Sequence, residues 1–376
     1  MNNNNEIGSD WYLIDNIGEI DTPALVVYRE RVVENIKSAI SMVGKVERLR
    51  PHVKTHKTIE VSKLLMAAGI HKFKCATIAE AEMLAMAGAA DVLLAYQPGG
   101  PKLERFIRLV QKYPSTKFSC LVDNIFSANN MNAEALKNNV SFDVYLDLNV
   151  GMNRTGIKPG EAAIELYKAC GKMKGIQAIG LHAYDGHIRN PDINQRSIES
   201  DMAFEPVQQM RNKLREMGLA KPLLVAGGSP TFSIHAKKSD RECSPGTFVF
   251  WDKGYQQTFS DQNFRTAALV ISRIISLPTP TTICLDLGHK SIASENALDK
   301  RVFFINATDL KFISQSEEHL VAEVKEGHSF KMGDIFYGLP FHICPTVALY
   351  ERAIVIENHK TFSEWKIIGR DRKINV

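Results

Sequence analysis

Several short stretches of this 376-residue chain gather side chains able to do chemistry. The first is Arg50-Pro51-His52-Val53-Lys54-Thr55-His56-Lys57. In extended chain, alternation sends Arg50, His52, Lys54 and His56 to one face. A lysine desolvated among other cations has a lowered pKa and becomes a nucleophile toward an aldehyde. Read alone, the stretch is also a solvated basic loop for any anion. The second is Gly227-Gly228-Ser229-Pro230-Thr231, where a tight turn exposes backbone N–H groups beside two hydroxyls. The third is Ser244-Pro245-Gly246-Thr247, whose glycine lets a backbone approach a ligand closely. A lysine for an aldehyde and a cradle for a phosphate together point to pyridoxal phosphate.

A fourth stretch is His342-Ile343-Cys344-Pro345-Thr346. In extended chain His342 and Cys344 share a face, so imidazole and thiolate could hold one cation. Nitrogen plus sulfur favours zinc over magnesium. Two ligands are too few for a structural zinc site but suit a catalytic one with open positions. The plainer reading is a buried cysteine beside a structural histidine. Glu317-Glu318-His319 is a further contributor to consider, or a solvated charged turn.

These stretches need elements to position them. Eight short apolar runs alternate with amphipathic helical patterns over the first two-thirds of the chain. The runs are Ala24 to Val27, Arg48 to Thr55, Phe73 to Thr77, Val92 to Tyr96, Phe118 to Val122, Val144 to Asn149, Ala178 to Tyr184 and Leu223 to Gly227. Eight strand–helix pairs fit a (β/α)8 TIM-like barrel, whose chemistry gathers at the carboxyl ends of the strands. A doubly wound open sheet is the competitor. After Pro245 short β-type runs follow one another and helical periodicity fades, which reads as a mainly β C-terminal domain. The division expected is residues 1–20 as an N-terminal segment packing with the β domain, 21–255 as the barrel, and 256–376 as the β domain.

Composition narrows the field. The chain is 44% hydrophobic and 23% charged, which excludes a disordered polypeptide. The net charge of +4 is interspersed, so there is no nucleic-acid footprint. No apolar run reaches the roughly 18 residues of a membrane span. Met1 to Asp10 lacks the apolar core of a leader, and Asn2 to Asn5 reads as a frayed end. Six scattered cysteines then read as reduced thiols in a cytoplasm.

The octapeptide around Lys54 resembles the lysine motif of D-threonine aldolases and eukaryotic-type D-serine dehydratases. These are fold-type III pyridoxal phosphate enzymes with an alanine-racemase-like N-terminal barrel. Asp21-Thr22-Pro23-Ala24-Leu25 resembles the family's opening strand, Ala76 to Glu82 its Glu-Ala-Glu helix start, and Gly151 to Gly156 its glycine–arginine turn. Ser244 to Phe248 resembles the phosphate turn, and His342-x-Cys344 the dehydratase metal pair. The resemblance implies that Lys54 holds the cofactor and that Tyr184 lies beside its ring. It implies a phosphate site at Gly228, Ser229, Gly246 and Thr247, and a metal on His342 and Cys344 near the 3-hydroxyl of a D-amino acid. It also implies a homodimer.

On that basis the expected reaction is β-elimination from a D-3-hydroxy amino acid, with Lys54 as base. Retro-aldol cleavage to glycine and an aldehyde is the alternative. Two departures from the aldolase pattern tilt the choice: Cys344 stands where an aspartate is expected, and Asn190 where a histidine is expected. His187 could supply a base from a shifted position. A racemase comes third, since Ser244 stands where a racemase has an arginine. A non-catalytic pyridoxal phosphate carrier would be short and would lack the β domain.

Overall fold

The computed structural model describes residues 10–376. The readings of the leaderless start and of the frayed end at Asn2 to Asn5 fall, Asp10 apart, outside those residues. Contacts divide the chain into two units. One takes residues 39–54, 58–246 and 368–376; the other takes the chain up to Ser38 with 55–57 and 247–367. The chain thus crosses between the units after residues 38, 54, 57, 246 and 367.

The first unit holds a seven-stranded parallel sheet. Its strands are β2 (Lys72–Cys75), β3 (Asp91–Leu94), β4 (Lys117–Val122), β5 (Phe142–Leu148), β6 (Ile176–Ala183), β7 (Leu223–Ala226) and β8 (Glu242–Cys243). They pair in sequential order without the reversal that a doubly wound sheet needs. The sheet curls until segment 49–53 joins its two edges. Leu49 bridges Cys243, and His52 bridges Lys74, both in parallel. Arg50 N–H donates to Cys243 at 2.9 Å, His52 N–H to Pro245 at 2.9 Å, and Lys74 N–H to Pro51 at 2.8 Å. Pro51 has no N–H to give, so this eighth stave is a row of bridges rather than a regular strand.

Here the strand count needs a correction. Ala24 to Val27 belongs to β1 (Ala24–Tyr28), which lies in the other unit between β9 (Ala268–Thr279) and β15 (Arg352–Glu357). All five of its residues are buried, so its pattern is that of a barrel strand. The missing stave is β8, two residues long and unmarked by any apolar run. The barrel's staves are thus 49–53 followed by β2 to β8, and Leu223–Ala226 is the seventh rather than the eighth. Between them run α2 (Ile59–Ala67), α3 (Ile78–Ala87), α4 (Pro101–Lys112), α5 (Ile125–Lys137), α6 (Glu161–Cys170) and α7 (Ile193–Glu216). Threonines cap two of these: Thr58 accepts from Val61 N–H and Thr77 from Glu80 N–H. Leu93, Leu121, Tyr145 and Val225 form a packed apolar layer.

The second unit is built on a nine-stranded mixed sheet. Its main path runs β12 (Lys311–Gln315), β13 (Leu320–Glu323), β10 (Thr282–Leu285), β9, β1, β15 and β16 (Lys360–Lys366). A side branch carries β14 (Ile335–Pro340) on β9 and β11 (Val302–Phe304) on β14. Ile14 and Ile20 join Val26, Leu269, Ile271 and Tyr337 in one apolar cluster. No helix among the described residues is long and apolar enough to cross a membrane.

Candidate active site

The Lys54 octapeptide is not a solvated loop. Arg50 is wholly buried and His52, Thr55 and His56 are buried with it. The Arg50 guanidinium donates to both oxygens of Asp91, at 2.6 and 3.0 Å, and to Glu242 at 2.7 Å. Burial alone would lower its pKa, but Glu242 and Asp91 outweigh burial and hold it above its ordinary value. Arg50 is therefore a buried anchor that ties segment 49–53 to β3 and β8. Lys54 follows the segment and is half-buried. Its backbone N–H donates to His52 Nδ1 at 3.2 Å.

Two turns lie after the last two staves, where barrels place phosphates. Gly227 follows β7 with φ +71°, a conformation that favours glycine. A Cβ there would stand 2.4 Å from the ring of His235. A Cβ on Gly228 would stand 2.8 Å from the ring of Tyr184. Gly246 follows β8, and its N–H donates to Ser229 Oγ at 3.1 Å, which joins the two turns. Behind them Asp185 is fully buried. It accepts from Thr231 Oγ1 and from His235 Nε2, each at 2.8 Å. The tautomer of His235 is set by this bond, with the Nε2 proton toward Asp185. Sequence reasoning passed over this network, although Asp185 and Thr231 flank the turns it singled out.

Tyr184 is half-buried, with the Arg154 guanidinium 5.0 Å and the Lys74 ammonium 5.8 Å from its ring centre. Asp147 and His182 form a buried pair at 2.8 Å. Burial pushes the Asp147 carboxyl up, but His182, Thr155 and Lys74 together hold it below the usual range. Burial dominates for His182 and lowers its pKa, so the imidazole is neutral. Its Nε2 is buried with no hydrogen-bond partner. Lys74 was also missed. Burial, then Lys54, bring its pKa from 10.5 to about 7, against the pull of Asp147 and Asp185. The signal for it was the alternation Lys72-Phe73-Lys74-Cys75, which puts two lysines on one face of β2. His187 is exposed, its ring against Gly151. Asn190 donates to Glu199 at 3.2 Å.

In the other unit the two residues expected to hold a metal, His342 and Cys344, have a different local structure from the one expected. His342 caps α10 (Ile343–Leu349), and Cys344 lies in the helix's first turn. Extended-chain alternation therefore does not bring them together; the helix start does, with Pro345 tolerated there. The two side chains are hydrogen-bonded. Glu295 Oε1 lies 2.5 Å from His342 Nδ1, which leaves Nε2 as the nitrogen for a cation. Burial lowers the His342 pKa, but Cys344, Asp252 and Glu295 outweigh it and raise it to about 9. Cys344 Sγ lies 3.1 Å from Thr55 Oγ1 and 3.8 Å from Thr247 Oγ1. The Thr247 hydroxyl, expected on a phosphate, thus faces this cysteine. Among the described residues no group of three or more His, Cys, Asp and Glu side chains forms a fuller metal cage. Glu317 and Glu318 are exposed and pair with Lys290, which is the solvated charged turn.

The family model for the alanine racemase N-terminal domain matches residues 27–253, which include every stave of the barrel. The chain belongs to that family. A second model, described as "Putative serine dehydratase domain", matches residues 267–356. This pairing marks a fold-type III pyridoxal phosphate protein with an alanine-racemase-like domain and a mostly β C-terminal domain. Over 367 residues the chain is 26% identical to a 3-hydroxy-D-aspartate aldolase of Paracoccus denitrificans (strain Pd 1222), covering 94% of this chain and 93% of that one. It is 23% identical to a D-serine dehydratase of Dictyostelium discoideum, over 92% of this chain and 95% of that one. A crystal structure of a D-threonine aldolase from Filomicrobium marinum superposes with a TM-score of 0.86 at 24% identity, covering 93% and 96%. That likeness establishes the fold.

Proposed function

We propose that this alanine-racemase-like protein is a pyridoxal phosphate-dependent lyase of D-3-hydroxy amino acids, acting by β-elimination. The observation that carries the reading is Lys54, which directly follows the stave closing the barrel, in the unit that also holds the turns at Gly228, Ser229 and Gly246. The residues there fit the cofactor. Lys54 supplies an amine for its aldehyde. Gly227 and Gly228 leave room that any Cβ would fill. His182 offers a buried nitrogen that no protein group takes up. A phosphate oxygen would take over the Gly246 N–H that Ser229 now holds.

When bound, pyridoxal phosphate supplies an electron sink for the bonds at Cα. Lys54 would hold the group covalently and would serve as the general base for the Cα proton. Tyr184, clamped between Gly186 and Gly228, would flank the ring. Thr231 and His235, both bonded to Asp185, keep the phosphate turns in place. His342 and Cys344 would hold a divalent cation, with zinc favoured by their softness. When bound, that cation supplies Lewis acidity to the 3-hydroxyl. Glu295 on Nδ1 keeps the His342 ring oriented for it.

Elimination is favoured by Cys344 and by Asn190, which is engaged with Glu199. Retro-aldol cleavage is the second reading, favoured by the aldolase among the relatives. A homodimer in the cytoplasm completes the proposal; none of the six cysteines forms a disulfide, which suits a reducing compartment. The test is a product assay on a panel of D-3-hydroxy amino acids, with and without chelator. Pyruvate or 2-oxobutyrate is expected. Glycine with an aldehyde would establish the second reading. No product from any member of the panel, with cofactor bound, would overturn both.

A further inference from the structure

The barrel interior contains a second amine that the proposed chemistry does not use. Lys74 stands on β2 in register with His52, and Lys54, in the turn that follows that stave, is close enough to act on it electrostatically. It is 2% exposed. Its Nζ has no hydrogen bond and no ion pair among the described residues, unlike its neighbour Lys72, which reaches Glu242 at 2.5 Å. The groups that face it come from three sides. Arg50 belongs to the closing stave and Lys54 to the turn after it, Asp147 to β5, and His182, Tyr184 and Asp185 to β6 and the loop after it. Both carboxylates are already committed, Asp147 to His182 and Asp185 to Thr231 and His235. Both favour an ammonium at this place from a distance, but neither forms an ion pair with it. An amine buried without a partner is costly to keep. A charged acceptor brought in by a ligand removes that cost.

We propose that Lys74 Nζ is an anion-binding group of the active site, which pairs with an anionic oxygen of the bound ligand. The proposal rests on the pyridoxal phosphate reading above. The oxygen has two sources: the carboxylate of the amino acid, or the phenolate of the cofactor ring. In either case Lys74 is neutral over part of the physiological range before the anion arrives and charged afterwards, so binding takes up a proton. The bond would be a charge-assisted one, stronger than a neutral hydrogen bond.

The experiment compares the wild-type holoenzyme with Lys74→Met, which keeps the shape of the side chain and removes the amine. D-alanine is the probe, because it lacks a 3-hydroxyl to eliminate. Its binding is followed by the change in the cofactor's visible absorbance between pH 6 and 9. If the source is the substrate carboxylate, Lys74→Met weakens D-alanine by about tenfold or more at pH 7, and the dependence of affinity on pH flattens. If the source is the phenolate, the pH midpoint of the resting absorbance moves by about one unit with no amino acid present. Lys74→Gln, which donates but does not titrate, should recover part of the lost affinity and none of the pH dependence. A thermal melt confirms that each variant is folded. Wild-type behaviour of folded Lys74→Met in both arms overturns this proposal alone. A wild-type protein that takes up no cofactor overturns the parent reading, and this one with it.

Discussion

Cys344 Sγ lies 3.1 Å from the hydroxyl of Thr55, the residue that follows Lys54 in the chain. Of the six cysteines it alone is not buried. Burial pushes the thiols of Cys170 and Cys243 up, to about 11 and about 12, and raises those of Cys120 and Cys284. Thiolate character and access together decide alkylation. Iodoacetamide on the native protein should therefore add one label, mapped by mass spectrometry to Cys344. Prior loading with zinc should slow that label. Labelling of Cys120 or Cys243 at a similar rate in folded protein would contradict the burial described here.

Chelation should separate activity from stability. His342 and Cys344 are two ligands, so a cation they hold leaves positions open and does not staple the fold. Turnover should disappear with chelator, while the thermal melt and the cofactor's absorbance stay nearly unchanged. His342→Ala should do the same. Collapse of the melt on chelation would make the site structural, and full turnover without metal would revive the racemase reading.

Glu242→Ala probes the closure of the barrel. It removes a carboxylate from both Arg50 and Lys72. Arg50, with no exposed surface, is left with Asp91 alone. Breaking one partner of a buried ion pair costs about 3–5 kcal/mol. Denaturant unfolding should register a loss of that order. A loss under about 1 kcal/mol, the range of an exposed pair, would show that Arg50 is not held as described.

Lys74 gives the protein without ligand a pH-dependent stability. Its pKa is 10.5 ordinarily and about 7 in the fold. Between those values the unfolded chain binds a proton that the folded chain does not, so this residue makes stability rise with pH across that window. Below it the full cost of the buried ammonium applies. Lys74→Met removes that cost. Its melting temperature should exceed that of wild type most at pH 6, and the gap should shrink toward pH 10. A gap independent of pH would place the stabilisation in packing instead.

Much of this architecture is legible in the sequence, because strands buried on both faces announce themselves as apolar runs. Phe118 to Val122 and Leu223 to Gly227 fall within one residue of β4 and β7 at each end. The errors share physical causes. β1 is apolar along its whole length and so is indistinguishable from a barrel strand until its partners are known. Glu242–Cys243 is too short to show a period. β12 and β16, at the two ends of the main path, are mostly exposed and polar, lysine-bearing like many edge strands, and leave no apolar trace. Within the site, Lys54 and the glycine turns stand out by type and spacing. Lys74 does not, because Phe73 and Cys75 beside it make the run look like ordinary core. The Asp185 network is invisible for another reason: Thr231 and His235 reach it from the segment after the neighbouring strand, and no local pattern encodes such a meeting.

The place of β1 also sets the order in which the chain can finish folding. Among the described strands it is synthesised first, yet its partners are Ala268–Thr279 and Arg352–Glu357, far along the chain. The whole barrel is synthesised before either partner exists. Until then the five residues of β1 wait with unpaired backbone groups, a standing invitation to misassociation. Pairing β1 closes a loop spanning most of the polypeptide, the slow kind of contact to form. A nascent chain stalled before Arg352 is therefore the species most exposed to chaperones and proteases. For the same reason, a truncation that reaches Arg352–Glu357 deprives β1 of a partner.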